Sequence, residues 1–162
     1  MKHLLWLLLG LSATSNAGTC EFFEKLSPYQ IDVAEIAYNT GKPFDLGLTA
    51  VAVAWQESRL GLYKVRYNLD NIKDQSFGVM HTVAYWKTKG MSPFEAGRWV
   101  QSMVEDDVKS INVGVQDLIY WRGRAKGDWK RGVEMYNAGT GKNPVYVKDV
   151  TATVNKLKNC FN

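Results

Sequence analysis

The stretch LGLTAVAVAWQESRL at residues 46–60 decides the fold, because it is apolar around almost the whole circumference of a helix. A helix of that composition is buried on all sides rather than lying on a surface. The sequence therefore predicts a helix over residues 46–60 at the centre of the core. Asp45 is the expected N-cap of this helix, and Gly61 is its expected C-cap.

Further helices are predicted on both sides of this segment. Ser27 precedes Pro28 and opens a helix over 28–38, and Ser92 and Glu95 form a capping box that opens another. Helical apolar spacing recurs over 104–121, Asp128 caps a helix that runs to 137, and a last helix covers about 143–157. Residues 65–77 are polar and indicate a loop or small hairpin. The expected fold is mainly α, with one small irregular or β lobe.

The N-terminus has the pattern of an export signal. Lys2 precedes an apolar run over 4–11, and Ser15-Asn16-Ala17 is a small-x-small cleavage site. The apolar run is too short to span a bilayer, although an uncleaved anchor is an alternative. We expect a signal peptide over 1–17, a single domain over 18–162, no stable membrane insertion after cleavage, and a location in the periplasm or cell-wall space.

Two cysteines lie near the ends of the expected domain, Cys20 and Cys160. In an oxidising compartment two cysteines have one intramolecular pairing, so a disulfide between them is predicted. A lipid-modified Cys20 is the competing interpretation. Thr19 argues against it, because it is bulky for the position before a lipidated cysteine.

Composition narrows the classes of partner. The 162-residue chain has a net charge of +4 and a sequence pI near 9.0, which suits an anionic partner such as nucleic acid, a membrane surface or the bacterial wall. No run of five basic residues appears, so nucleic acid is not expected. No cluster has zinc-ligand spacing, so neither a metal nor a cofactor is expected.

Glu57 is the residue with the clearest chemistry. It lies on the buried stripe of the central helix and in the last turn before Gly61. Desolvation and the negative end of the helix dipole both disfavour its charged form, which suits a general acid. The alternative is a side chain that points into water or pairs with Arg59 or Lys64.

Four segments resemble a known family in the same order along the chain. They are WQESRL at 55–60, SFGVMH at 76–81, EMYNAG at 134–139 and YVKDV at 146–150. Together they are similar to the motifs of lysozyme-like lytic transglycosylases, of the short type associated with secretion, conjugation or pilus machines. His81 stands where the family usually has Gln, and Glu134 stands where it usually has Ala.

The resemblance implies a lysozyme-like fold in which the small lobe flanks an active-site cleft, with Glu57 as the catalytic residue. It assigns substrate binding to Ser58, Ser76, Phe77, Met80, His81, Tyr136 and Asn137. Within that set, the Tyr136 hydroxyl is expected to bond the Glu57 carboxyl, and Met80 is expected to form an apolar floor for a sugar. Asn137 is expected to read a sugar acetamido group.

The implied reaction cleaves the bond between N-acetylmuramic acid and N-acetylglucosamine in peptidoglycan strands and leaves 1,6-anhydro ends. A hydrolytic lysozyme assisted by Asp70 or Asp74 is one alternative, although Ser76 occupies the place where chicken-type lysozymes carry their second carboxylate. A peptidoglycan-binding assembly protein without activity is the other. A secretion, conjugation or pilus machine is a possible further partner.

Overall fold

The computed structural model describes residues 20–161, so the expected signal peptide lies outside the described residues. The helices of this part of the chain are α1 (Pro28–Gly41), α2 (Gly47–Ser58), α3 (Ala84–Lys87), α4 (Pro93–Glu105), α5 (Asp107–Arg124), α6 (Trp129–Ala138) and α7 (Pro144–Leu157). Short 3-10 turns cover Phe23–Lys25, Lys42–Phe44 and Ile72–Asp74. The mainly α class is confirmed.

Helix α2 is the centre of the core, as its composition predicts. Its middle residues, Ala50 to Ala54, are fully buried. The helix packs against α1, α5 and α7, which cover it from three directions. A helix with no polar face is stable only when it is surrounded in this way.

Both predicted caps of α2 are wrong. The N-cap position belongs to Leu46, while Asp45 has left-handed backbone angles and ends the preceding 3-10 turn. At the other end the helix stops at Ser58, and Arg59 and Leu60 are both left-handed. The fully buried Leu60 enters the core at this reversal, so tertiary burial rather than the local glycine signal sets the end of the helix.

The other predicted caps are confirmed. Ser27 and Ser92 each form a capping box, with Gln30 and Glu95 respectively, and Asp128 accepts a hydrogen bond from the third residue of α6. Asp106 ends α4 and caps α5, so the helix predicted from apolar spacing over 104–121 begins only at Asp107, and Val104 belongs to α4.

The small lobe is a three-stranded antiparallel sheet of two-residue strands. Strand β1 (Val65–Arg66) pairs with β2 (Ser76–Phe77), and β2 pairs with β3 (Thr82–Val83). Of the two alternatives expected over 65–77, a loop or a small hairpin, the structure has the hairpin, whereas β3 and the short α3 were not predicted. Residues 78–81, which join β2 to β3, form a tight turn that begins at Gly78 with a φ of 86°.

The two ends of the described chain are joined covalently. Cys20 and Cys160 form the predicted disulfide, with their Cα atoms 5.0 Å apart. The Cys20 thiol is therefore occupied, which removes the lipid-modified alternative. Within residues 20–161, no helix has the length and apolar character that crossing a bilayer requires.

The disulfide closes a loop with a sequence separation of 140 residues. On the chain-entropy model, replacing both cysteines by alanine lowers the free energy of unfolding by at most about 5 kcal/mol. Urea unfolding of the oxidised protein and of the Cys20→Ala/Cys160→Ala variant measures this difference. Coinciding transitions would show that the bridge does not stabilise the fold.

Candidate active site

Glu57 lies in the last turn of α2, with only 12% of its side chain exposed. The two basic residues that could have drawn it into water have other partners. The Arg59 guanidinium lies over the Trp55 ring, and the Lys64 ammonium pairs with Asp107 at 2.6 Å. The Glu57 carboxyl therefore stays at the junction of α2 and the small lobe.

Each oxygen of the Glu57 carboxyl faces a different polar group. The Tyr146 hydroxyl, from the first turn of α7, donates a hydrogen bond to Oε1 at 2.6 Å. On the other side, His81 Nδ1 lies 3.3 Å from Oε2. The second ring nitrogen of His81, Nε2, lies 2.7 Å from the backbone carbonyl of Tyr63. The site thus joins α2, α7 and the β2–β3 turn.

The prediction that Tyr136 bonds Glu57 is wrong, because the residue in that place is Tyr146. The Tyr136 hydroxyl donates instead to the carbonyl oxygen of Met80 at 2.6 Å. Helical spacing could have identified Tyr146, since it lies one turn before Val150 on the buried face of α7.

Both phenols remain protonated donors because of their surroundings. Burial raises the pKa of Tyr136 well above its ordinary value, and the nearby charges of Glu57 and Asp117 add to the effect. Burial likewise raises the pKa of Tyr146, with smaller contributions from the Glu57 charge, from Tyr136 and from the hydrogen bond to Glu57. Tyr146 therefore offers Glu57 a proton in a hydrogen bond without releasing it at neutral pH.

Two buried serines hold the turn that carries His81. Ser58 donates to the carbonyl oxygen of Val79 at 2.6 Å, and the Val79 amide donates to Ser110 at 2.6 Å. Ser58 also accepts a hydrogen bond from the Gly61 amide at 2.8 Å. We call Ser58, Ser110 and the Val79 backbone the serine clamp. It fixes the turn against α2 and α5.

Several predicted substrate contacts are placed inside the protein instead. Ser58 is fully buried, so it positions the turn and has no surface to offer a sugar. Met80 is also fully buried, with its side chain against Gly114, so the predicted sugar floor is wrong. The chain turns at Gly78 in the direction that sends Met80 into the core rather than toward the surface.

Strand β2 contributes two more of the predicted residues, and both are buried. Ser76 accepts a hydrogen bond from the Arg66 guanidinium at 3.1 Å. Phe77 packs with Ala84 and Met103 in the small-lobe core. The structure therefore gives both residues a role in stabilising the lobe.

Helix α6 contains the two remaining residues, Asn137 and Glu134. Asn137 is exposed, and its side-chain oxygen accepts a hydrogen bond from Asn143 at 2.8 Å. The Glu134 carboxylate accepts hydrogen bonds from the Arg131 guanidinium and from the backbone amide of Asn143. The hydrogen bond from Arg131 lowers the pKa of Glu134. This carboxylate is thus neutralised locally by a partner from its own helix.

The two acids proposed for a hydrolytic mechanism lie on the loop between β1 and β2. Asp74 pairs with Arg66 at 2.8 Å and accepts a hydrogen bond from Asn68 at 2.9 Å. Asp70 is exposed on the same loop. Neither contacts Glu57 within hydrogen-bonding or ion-pair distance, so Glu57 has no carboxylate neighbour among them.

The larger of the two cavities described lies away from this site. It has a volume of about 360 Å³ between α6 and α7 and is lined by Asp128, Lys130, Arg131, Glu134, Lys142, Pro144 and Val147. Among residues 20–161, no group of three or more His, Cys, Asp or Glu side chains is placed to hold a metal ion.

Comparisons with known proteins add no family assignment. No protein-family model matches the chain, and neither a curated protein nor a solved structure gives a significant match. The resemblance of the four sequence segments to lytic transglycosylases therefore stands on those residues alone.

Removing either hydroxyl of the serine clamp leaves a buried backbone group of Val79 without its partner. We expect Ser58→Ala and Ser110→Ala each to lower the free energy of unfolding by about 1–3 kcal/mol. Denaturant unfolding measures this, with the exposed Thr140→Ala as a control expected within about 0.5 kcal/mol of wild type. Wild-type stability in both serine variants would contradict the clamp.

Proposed function

We propose that this protein is an exported peptidoglycan lytic transglycosylase in which Glu57 is the catalytic residue. The observation that carries the proposal is the mostly buried Glu57 carboxyl, held between Tyr146 and His81 at the edge of the small lobe. A carboxyl with fixed orientation and little water around it suits general acid–base catalysis. The helical body with a small sheet beside this helix end is compatible with the lysozyme-like architecture that the sequence motifs suggest.

The proposed reaction uses one carboxyl twice. Glu57 first donates its proton to the oxygen that bridges N-acetylmuramic acid and N-acetylglucosamine, and the bond from that oxygen to C1 of the muramic acid breaks. The acetamido oxygen of the same sugar stabilises the positive charge at C1. The Glu57 carboxylate then takes the proton of that sugar's 6-hydroxyl, whose oxygen bonds to C1, so no water is consumed.

The surroundings of Glu57 support this route over hydrolysis. A retaining or inverting glycosidase places a second carboxylate across the scissile bond. Asp74 is engaged by Arg66 and Asn68, and the position of Ser76 holds a buried hydroxyl. A single catalytic carboxyl is sufficient when the sugar's own hydroxyl replaces water.

The compartment follows from the same proposal. Peptidoglycan lies outside the cytoplasmic membrane, and the disulfide between Cys20 and Cys160 is typical of an oxidising space. We therefore propose the periplasm or cell-wall space as the location.

The first test is the mass of the muropeptides released from purified cell wall. The proposal predicts anhydro-ended products that lack one water relative to hydrolysis products, together with a loss of activity of about 100-fold or more in Glu57→Gln. The exposed Glu35→Gln is the matched control and should keep wild-type turnover.

Products that are all one water heavier would identify a hydrolytic lysozyme. Equal, negligible clearing by the wild type and by Glu57→Gln would instead identify a wall-binding protein without activity. Thermal unfolding of each variant checks that a lost activity does not result from a lost fold.

A second test compares the two buried tyrosines. Because the Tyr146 hydroxyl bonds Glu57 directly, Tyr146→Phe is expected to lower kcat by about 10-fold. Tyr136→Phe removes a hydroxyl that bonds backbone, so its main effect is expected on the free energy of unfolding, by about 1–3 kcal/mol. A larger kcat loss in Tyr136→Phe than in Tyr146→Phe would contradict the assignment of Tyr146 to the site.

A further inference from the structure

We propose that His81 and Glu57 share one proton and act as a single acid–base pair, in which His81 sets the pH range over which the site works. The effect on catalysis rests on the function proposed above. The sharing of the proton does not, because it follows from the contacts of the imidazole. His81 is a positioning residue in this proposal, since it acts through Glu57.

The tautomer of His81 is fixed by its outer contact. Nε2 lies 2.7 Å from the Tyr63 carbonyl oxygen, and a backbone carbonyl can only accept a hydrogen bond. Nε2 therefore carries a hydrogen and donates it to Tyr63. A neutral His81 consequently has its lone pair on Nδ1, the nitrogen that faces Glu57.

The inner contact is an ion pair only when the imidazole carries a second proton. Nδ1 lies 3.3 Å from Glu57 Oε2, and without a hydrogen between them a nitrogen lone pair would face a carboxylate oxygen. Only 7% of the His81 side chain and 12% of the Glu57 side chain are exposed, so water screens that repulsion poorly. One proton between the two atoms removes it. The pair is then either imidazolium with carboxylate or imidazole with carboxylic acid.

The other oxygen of Glu57 does not compete for this proton. Oε1 already accepts a hydrogen bond from the Tyr146 hydroxyl at 2.6 Å. Because the Tyr146 phenol keeps its own proton, the site has a definite arrangement: a fixed donor at Oε1 and the shared proton at Oε2.

The groups around the pair come from several elements. Helix α7 contributes the Tyr146 phenol and α6 the Tyr136 phenol, both of which stay protonated. Helix α5 contributes Asp117, which forms an ion pair with Lys87 of α3. Two neutral phenols thus surround the Glu57 carboxyl, and the ion-paired Asp117 acts on Tyr136.

The backbone at His81 supports a role beyond packing. Its φ is 49°, in the left-handed region that residues other than glycine rarely adopt, although histidine enters it more readily than bulky residues do. The serine clamp on Val79, two residues earlier, holds the turn in this conformation. A strained residue held in place by buried bonds and aimed at a carboxyl indicates a functional constraint.

The consequence is a pH dependence that belongs to the pair. Two interacting groups lose their protons in two macroscopic steps, and the state with one proton can still protonate a leaving group. Activity on the alkaline side lasts until that last proton is lost. In His81→Gln the carboxyl must hold that proton alone. The alkaline limb of the kcat/KM profile should therefore lie at a different pH in His81→Gln than in the wild type.

The direct test is nitrogen-15 NMR of the imidazole across the pH range. The chain has two histidines, and the signals that disappear in His81→Gln identify His81. We expect Nε2 to stay protonated throughout. We also expect Nδ1 to lose its proton more readily in Glu57→Gln, because the amide cannot carry the negative charge that holds the proton. The Glu35→Gln variant is the control and should leave the titration unchanged.

Identical His81 titrations in the wild type and Glu57→Gln would overturn the shared proton, and so would a neutral form protonated at Nδ1. This measurement needs no turnover, so the proposal can stand or fall even if the wild type cleaves no peptidoglycan. If His81→Gln does not fold, His81→Asn supplies the pH profile, since asparagine tolerates the left-handed backbone and is too short to keep both contacts. An unshifted alkaline limb in a folded variant would overturn the role in catalysis.

Discussion

The constraint on which the site depends is the hydrogen bonding of one buried residue's backbone, the N–H and C=O groups of Val79. Its amide is bonded to Ser110 and its carbonyl to Ser58, and both serines are fully buried. Strands of two residues cannot form a stable sheet by themselves. The small lobe therefore keeps its position because two helices of the core supply the hydrogen bonds that its central turn would otherwise lack.

This constraint also couples the two halves of the candidate site. Ser58 and Glu57 are neighbours in the last turn of α2, so the turn of helix that holds the lobe also presents the carboxyl. His81 lies two residues after Val79 and receives its direction from the same turn. The buried bonds at Val79 thus set the backbone positions of the two residues, and the contacts with Tyr63 and Tyr146 orient the imidazole and the carboxyl.

The sequence predicted what depends on local chemistry and missed what depends on distant packing. Caps such as Ser92 were identified correctly because a capping box involves only residues within one turn. The cap predictions for Asp45 and Gly61 were wrong. The 3-10 turn before α2 takes Asp45, and the burial of Leu60 ends the helix before Gly61. Met80 and Tyr136 contact each other and not the Glu57 carboxyl, because which atoms face the carboxyl depends on how α6 and α7 pack. The resemblance of the motifs gives no information on that packing.

A buried carboxyl that must both give and accept a proton faces a conflict. Desolvation alone keeps the proton on the acid, but it also makes the carboxylate that follows proton donation costly. A neighbouring imidazole removes much of this conflict, because the pair keeps one proton whichever group carries it, and Tyr146 stabilises the carboxylate form by its hydrogen bond. Polar contacts at both oxygens thus offset the desolvation of the mostly buried Glu57 carboxyl. In the proposed mechanism the imidazole is therefore part of the acid, and the same serine clamp that holds the lobe also holds the turn that carries it.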